Sequence, residues 1–348
     1  MEPLKQISAG YGLISRTRTV RSFILVLFLS IQNSSAQDFH LSKPDGSPLY
    51  FNPALTGLFQ GHYRANVQYR TQWSAIANKP FVTTAVSSDM HYKKNISFGG
   101  QILNYRAGSS NYNVLSFLPS IAYDIALDSS QNHHLSGGLQ AGFIHKSIDN
   151  AKLVFGNQYS NADGGGFDNT MPNEEVISNS STFTPDINAG LFYYYANSNS
   201  IINPFLGVSS FHVTHPKETF LNASNRLPLR YVIHGGCKIN ITERLQVLPK
   251  FLVMRQLNDK EFTMSVLGYY YLKELESFIY FGPTYRTKDA AVFEIGLKYR
   301  SYTGGISYDI NTSTLKPTTS GRGGFELSIS YIAKNPKVLS ISNYCPRL

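Results

Sequence analysis

The chain has 348 residues, of which 15% are charged and 13% aromatic, and its 31 Lys and Arg exceed its 22 Asp and Glu for a formal net charge of +9. That is too apolar and aromatic for a disordered chain, and the charges gather into no basic face that would suit nucleic acid. The 23 Tyr, 22 Phe and 27 Gly suit a sheet protein that meets an interface, and a mean hydropathy of −0.19 does not argue against a membrane, because a barrel with a polar lumen averages to that value.

Residues 1–36 read as an export signal. Lys5, Arg16, Arg18 and Arg21 precede an apolar run from Phe23 to Leu29 with Ile31, and Ser34, Ser35 and Ala36 supply small residues for cleavage before Gln37. Removing them leaves 27 basic against 21 acidic residues, a mature charge of +6. Beyond residue 36 no stretch of 18 apolar residues occurs, so no transmembrane helix is expected. Residues 37–61 are expected to form a periplasmic N-terminal segment. In it Asn52, Pro53 and Ala54 signal a turn before the first strand, either as plain strand initiation or as a docking point for a periplasmic partner.

From His62 to Trp73 the pattern has a period of two. Tyr63, Ala65, Val67, Tyr69 and Trp73 fall on one parity, and Arg64, Asn66, Gln68, Arg70 and Gln72 on the other. A strand tilted across a bilayer needs roughly 9–11 residues, with aromatics near its ends and polar side chains toward the lumen. This run meets all three conditions.

Strand-like runs follow at Phe81–His91, Ile96–Arg106, Tyr112–Ala126, Leu135–Ser147, Phe183–Tyr195, Ile202–Thr214, Leu229–Asn240, Leu245–Gln256, Phe262–Leu272, Phe278–Arg286, Ala291–Arg300, Tyr302–Asn311 and Gly324–Ile332. The late runs alternate cleanly: Phe293, Ile295, Leu297 and Tyr299 against Glu294, Gly296, Lys298 and Arg300. Phe278–Tyr285 is apolar on both faces and would also suit a secreted β-sandwich. The whole set fits better an all-β fold, a transmembrane antiparallel barrel of about 14 strands over residues 62–332 with a periplasmic tail at 333–348. With an even count both ends lie on the periplasmic side, and the long linkers 74–80, 148–182, 215–228 and 312–323 fall together on the outer face.

Several short motifs resemble the PorP/SprF proteins of the type IX secretion system. They are Asn52-Pro53-Ala54 with Gly57; Tyr69, Arg70, Gln72 and Trp73; Gly207-Val208-Ser209 leading to His212, Pro216 and Phe220; Tyr285-Arg286; Asp289-Ala290; Ser307-Tyr308-Asp309; Gly323-Gly324 with Glu326; and Cys345-Pro346-Arg347. Leu348 stands where the family usually ends in an aromatic residue. The resemblance implies an outer-membrane component of the secretion and gliding machinery. It would contact outer-membrane lipid, other secretion subunits in the outer membrane and periplasm, and cargo carrying a C-terminal sorting domain. It carries no catalytic or cofactor motif. The alternative reading is a general diffusion porin.

Arg64 and Arg70 share the lumen parity of the first strand and Glu326 that of the last, so Arg64 or Arg70 is expected to pair with Glu326 across the closing seam, or all three stand as hydrated lumen charges. The paired reading expects a double charge swap to restore assembly. Asn161, Asp163, Asp168 and Asn169 lack the spacing and terminal glutamate of a calcium loop and read as Asx-Gly turns. His133, His134, His212 and His215 lack zinc-like spacing, and no G-x-S-x-G elbow accompanies them. Cys237 and Cys345 could pair in an exported protein or stay free thiols.

Overall fold

The computed structural model of the protein describes residues 38–333, apart from 75–78, 109, 161–164, 169, 172–179, 219 and 221–224. Among the described residues fourteen strands close into a barrel: β1 (Tyr63–Gln72), β2 (Phe81–His91), β3 (Ile96–Ala107), β4 (Tyr112–Ala126), β5 (His133–Ser147), β6 (Ser181–Tyr195), β7 (Ile202–Phe211), β8 (Arg230–Asn240), β9 (Leu245–Gln256), β10 (Asp259–Leu272), β11 (Ser277–Arg286), β12 (Ala290–Tyr299), β13 (Tyr302–Asn311) and β14 (Arg322–Ala333). Each pairs antiparallel with its neighbours in sequence. β14 returns to β1 in a register running from Tyr63 opposite Ala333 to Thr71 opposite Phe325. Closure leaves no edge strand to present a row of unpaired backbone groups to lipid, as a bilayer demands.

The period of two fixes the two surfaces of the wall. Val67, Tyr69, Phe293, Ile295, Leu297 and Tyr308 point outward and are exposed, as lipid-facing residues must be in an isolated chain. The connections sort by length. At one mouth they are residues 92–95, 127–132, 196–201, 241–244, 273–276 and 300–301; the opposite mouth carries the long ones, 73–80, 148–180, 212–229 and 312–321. A two-stranded hairpin, Tyr159–Ser160 with Gly166–Phe167, rises within the longest.

The inner surface is buried too. Gln68 is 0% and Arg70 1% exposed, which an open, water-filled lumen would not allow. What covers them is the N-terminal segment. Residues 38–59 run through the barrel as three short helical turns, Pro44–Gly46, Pro48–Phe51 and Pro53–Leu55, each opened by a proline whose fixed φ and missing N–H suit the first position of a turn. Their backbone acceptors find partners on the wall: Gln68 Nε2 donates to Lys43 O at 2.8 Å, Gln140 Nε2 to Leu49 O at 3.1 Å, Ser209 Oγ to Phe51 O at 2.5 Å and Ser136 Oγ to Ala54 O at 2.8 Å. A single short segment that bonds to β1, β5 and β7 of one closed ring can only be inside it. It differs here from the periplasmic extension expected for residues 37–61, because its apolar residues have no other place to be buried.

Those residues build a core inside the barrel. Leu41, Tyr50 and Phe51 pack with Ala85, Leu103, Phe211, Val232, Leu252 and Met254, while Ala54 and Leu55 pack with Phe192, Tyr194, Phe205, Leu248 and Leu267. This explains why β11 is apolar on both faces. Phe281 and Tyr285 meet lipid, while Tyr280 turns inward beneath the Lys43 ammonium, 4.7 Å from its ring centroid.

Candidate functional site in the barrel lumen

The segment is held by ion pairs stacked along the lumen. Toward the long-loop mouth, Arg70 on β1 and Arg286 on β11 each place Nη2 2.9 Å from Asp309 Oδ2 on β13, and Arg70 Nη1 stands 3.3 Å from Glu326 Oε2 on β14. Both arginines are 1% exposed, so charge pairing is what makes their burial tolerable. The Ser42 and Lys43 N–H groups both donate to the Glu326 carboxylate at 2.8 Å, and the Ser42 hydroxyl donates to Asp309 at 2.7 Å. One step deeper, Lys43 Nζ lies 2.8 Å from Glu294 Oε1 and Lys250 Nζ 2.5 Å from Asp45 Oδ2.

At the long-loop mouth the Asp38 carboxylate sits 2.9 Å from His212 Nε2 and 3.3 Å from Arg230 Nη1, while His212 Nδ1 reaches Asp186 Oδ1 at 2.9 Å. His212 is the residue that ends β7. Its φ of 60° leaves the strand, and its N–H is taken by Asn188 Oδ1 at 2.9 Å. Burial would lower the imidazole pKa, but the two flanking carboxylates outweigh it and hold the value at about 9. The same contacts draw Asp38 below the usual carboxylate range despite its own burial.

In the middle, Asn52 caps its own turn by accepting from Ala54 N at 2.9 Å, and its amide donates to Leu191 O at 3.0 Å. The wall yields to it. A Cβ at Gly190 would lie 2.0 Å from Asn52 Oδ1, and one at Gly138 would lie 2.4 Å from Pro53, so the segment approaches the strands as only glycine permits. At the short-turn mouth, Gly57 (φ 78°) gives its N–H to Asp89 Oδ2 at 2.7 Å, and the same carboxylate holds Arg64 Nη2 at 2.6 Å. A cavity of about 590 Å³ remains on this side, between the segment and a wall made by β1, β6 and β8 to β14.

The residues singled out from sequence therefore divide. Arg70 and Glu326 are opposite in register and close in space, whereas Arg64 serves Asp89 instead. Asn52, Pro53, Ala54, Gly57, His212, Arg286 and Asp309 all meet at the surface between segment and wall. Gln72 and Trp73 close β1 at the rim, where Trp73 turns to φ 62° and stacks on Phe81.

Cys345, Pro346 and the tail lie outside the described residues, as do Asn161, Asp163 and Asn169; Asp168 accepts from Thr170 N at 2.9 Å as a turn residue does. Cys237 is free. His134 Nδ1 binds Asp124 at 3.0 Å, and no group of three metal-ligating side chains occurs among the described residues. Asp38, Ser42 and Asp89 were not anticipated. The signal that points to them is seven apolar side chains, Leu41, Leu49, Tyr50, Phe51, Ala54, Leu55 and Phe59, too many for a segment left in water.

A family profile described as type IX secretion system membrane protein PorP/SprF matches residues 33–331. The chain belongs to the PorP/SprF family. It is therefore an outer-membrane barrel of the type IX secretion system, and the ion-paired residues above lie within the matched span. A comparison with curated proteins finds no match in sequence.

Among solved structures, the Ralstonia pickettii toluene transporter TbuX is similar at 11% identity and a TM-score of 0.47, covering 81% of this chain and 92% of its own. The Pseudomonas putida toluene transporter TodX is similar at 8% identity and 0.48, covering 85% and 95%. A KdgM porin in complex with disordered oligogalacturonate is similar at 7% identity and 0.35, covering 76% and 98%.

Proposed function

We propose that this PorP/SprF protein is a non-enzymatic subunit that assists export or surface attachment of cargo bearing a C-terminal sorting domain. It does so beside other type IX subunits, with its short turns toward the periplasm and its long loops outside. The filled lumen carries this reading against the general diffusion porin. A solute pore needs a continuous hydrated path, and here Arg70, Arg286 and Tyr280 are buried against an N-terminal segment with an apolar core of its own. Such a barrel offers partners its loops, its turns and its short-turn cavity rather than a conduit.

The test is a mild-detergent pull-down of the tagged protein from its native outer membrane, paired with planar-bilayer recordings. Recovery of secretion subunits or sorting-domain cargo, with no steady conductance, is the expected result. Repeated recovery of the barrel alone, together with stable open-channel currents, would move the assignment to the porin.

A further inference from the structure

The N-terminal segment does more than fill the lumen; it crosses it. Asp38 is held at the long-loop mouth, where its N–H donates to Gln256 Oε1 at 2.8 Å at the end of β9, and its carboxylate meets His212 and Arg230. The chain then passes Asp309 and Glu326, the middle of β5 at Gln140, and Asp89 near the end of β2. It emerges at the short-turn mouth, where His62 N donates to Ala333 O at 2.9 Å. Asp38 and Tyr63 thus stand at opposite mouths, although β1 and β14 both meet the short-turn side.

We infer that the mature amino terminus is displayed at the long-loop mouth and so, on the orientation proposed above, at the cell surface. A polypeptide end there is an attachment point that counting strands would put in the periplasm. It stands beside the Asp38–His212–Arg230 cluster. The segment is fixed at both mouths, by that cluster above and by Gly57 on Asp89 below, so the terminus is held at one side and does not exchange between two.

The test uses the full chain carrying Cys237→Ser and Cys345→Ser, with single reporter cysteines and a bulky membrane-impermeant maleimide applied to intact cells. One reporter is a Gly-Ser-Cys-Gly-Ser insertion between Gln37 and Asp38; the others are Thr314→Cys at the long-loop mouth and Lys94→Cys in a short turn. Labelling of the insertion together with Thr314→Cys, on the same side and to within about twofold, is expected. Labelling of the insertion together with Lys94→Cys, or only after denaturation while Thr314→Cys labels on intact cells, overturns the inference. The controls judge the orientation separately. If Lys94→Cys labels on intact cells and Thr314→Cys does not, the barrel is inverted, and an insertion that tracks Thr314→Cys still supports the threading while removing the terminus from the surface.

Discussion

Reversing both members of the Arg70–Glu326 pair will not restore assembly, although a simple seam pair would predict that it does. Glu326 accepts from four donors, the Ser42 and Lys43 N–H groups, the Gln68 amide and the Arg70 guanidinium. An arginine at 326 accepts nothing, so three neutral buried donors are stranded at about 1–3 kcal/mol each. A glutamate at 70 also faces Asp309, which then keeps the Ser42 hydroxyl and, of its two arginines, Arg286. Breaking a buried pair from one side costs about 3–5 kcal/mol. The sum is comparable to the whole stability of a typical fold, about 5–15 kcal/mol.

The assay is the unboiled gel mobility of outer-membrane fractions, with a urea titration of whatever folds. Glu326→Arg alone and Arg70→Glu/Glu326→Arg are both expected to give little folded band. Glu326→Gln, which keeps an acceptor oxygen, is expected to fold with a loss of roughly 2 kcal/mol. Folded band at the native level from the double swap would refute this account of the seam.

Three further outcomes follow from the lumen. Gly190→Ala places a methyl group against Asn52 and is expected to lose about 1–3 kcal/mol, whereas Gly137→Ala, whose Cβ meets only Leu191 at 3.5 Å, is expected to be neutral in the same urea titration. His212, held up at about 9 against an unfolded value near 6.5, contributes its full stabilisation below about pH 6.5 and loses it as pH rises through about 9. A fall of no more than about 3 kcal/mol in stability across that window, flattened in His212→Asn, is the expected result. Asn52→Ala removes a cap and a donor to Leu191 O and is expected to cost about 1–3 kcal/mol, read as a lowered melting temperature with the barrel still closed.

The wall was legible in the sequence because a two-residue period records which side of a sheet each side chain meets. Phe293 to Tyr299 alternate as the exposed and inward faces of β12, and the strand number follows from turns such as Lys93-Lys94-Asn95. Bounds slipped where a local contact overrides pattern. Ile202–Thr214 reads as one run, but β7 stops at Phe211 because His212 turns to bind Asp38 and Asp186. The contents of the lumen were not legible, since residues 38–59 have no period and take their shape from prolines and from wall side chains as far as 158 and 284 residues away. Arg64 and Arg70 were indistinguishable by parity; only register, which sets one opposite Asp89 and the other opposite Glu326, separates them.

The hydrogen bonds from Ser42 and Lys43 to Glu326 join positions 284 and 283 residues apart, and they lie beside the strand pair that closes the ring. The carboxylate at the closing seam thus also anchors what fills the cylinder. A cylinder sealed while hollow would trap Arg70, Arg286, Asp309 and Glu326 among themselves, with the apolar wall residues left facing one another across a void.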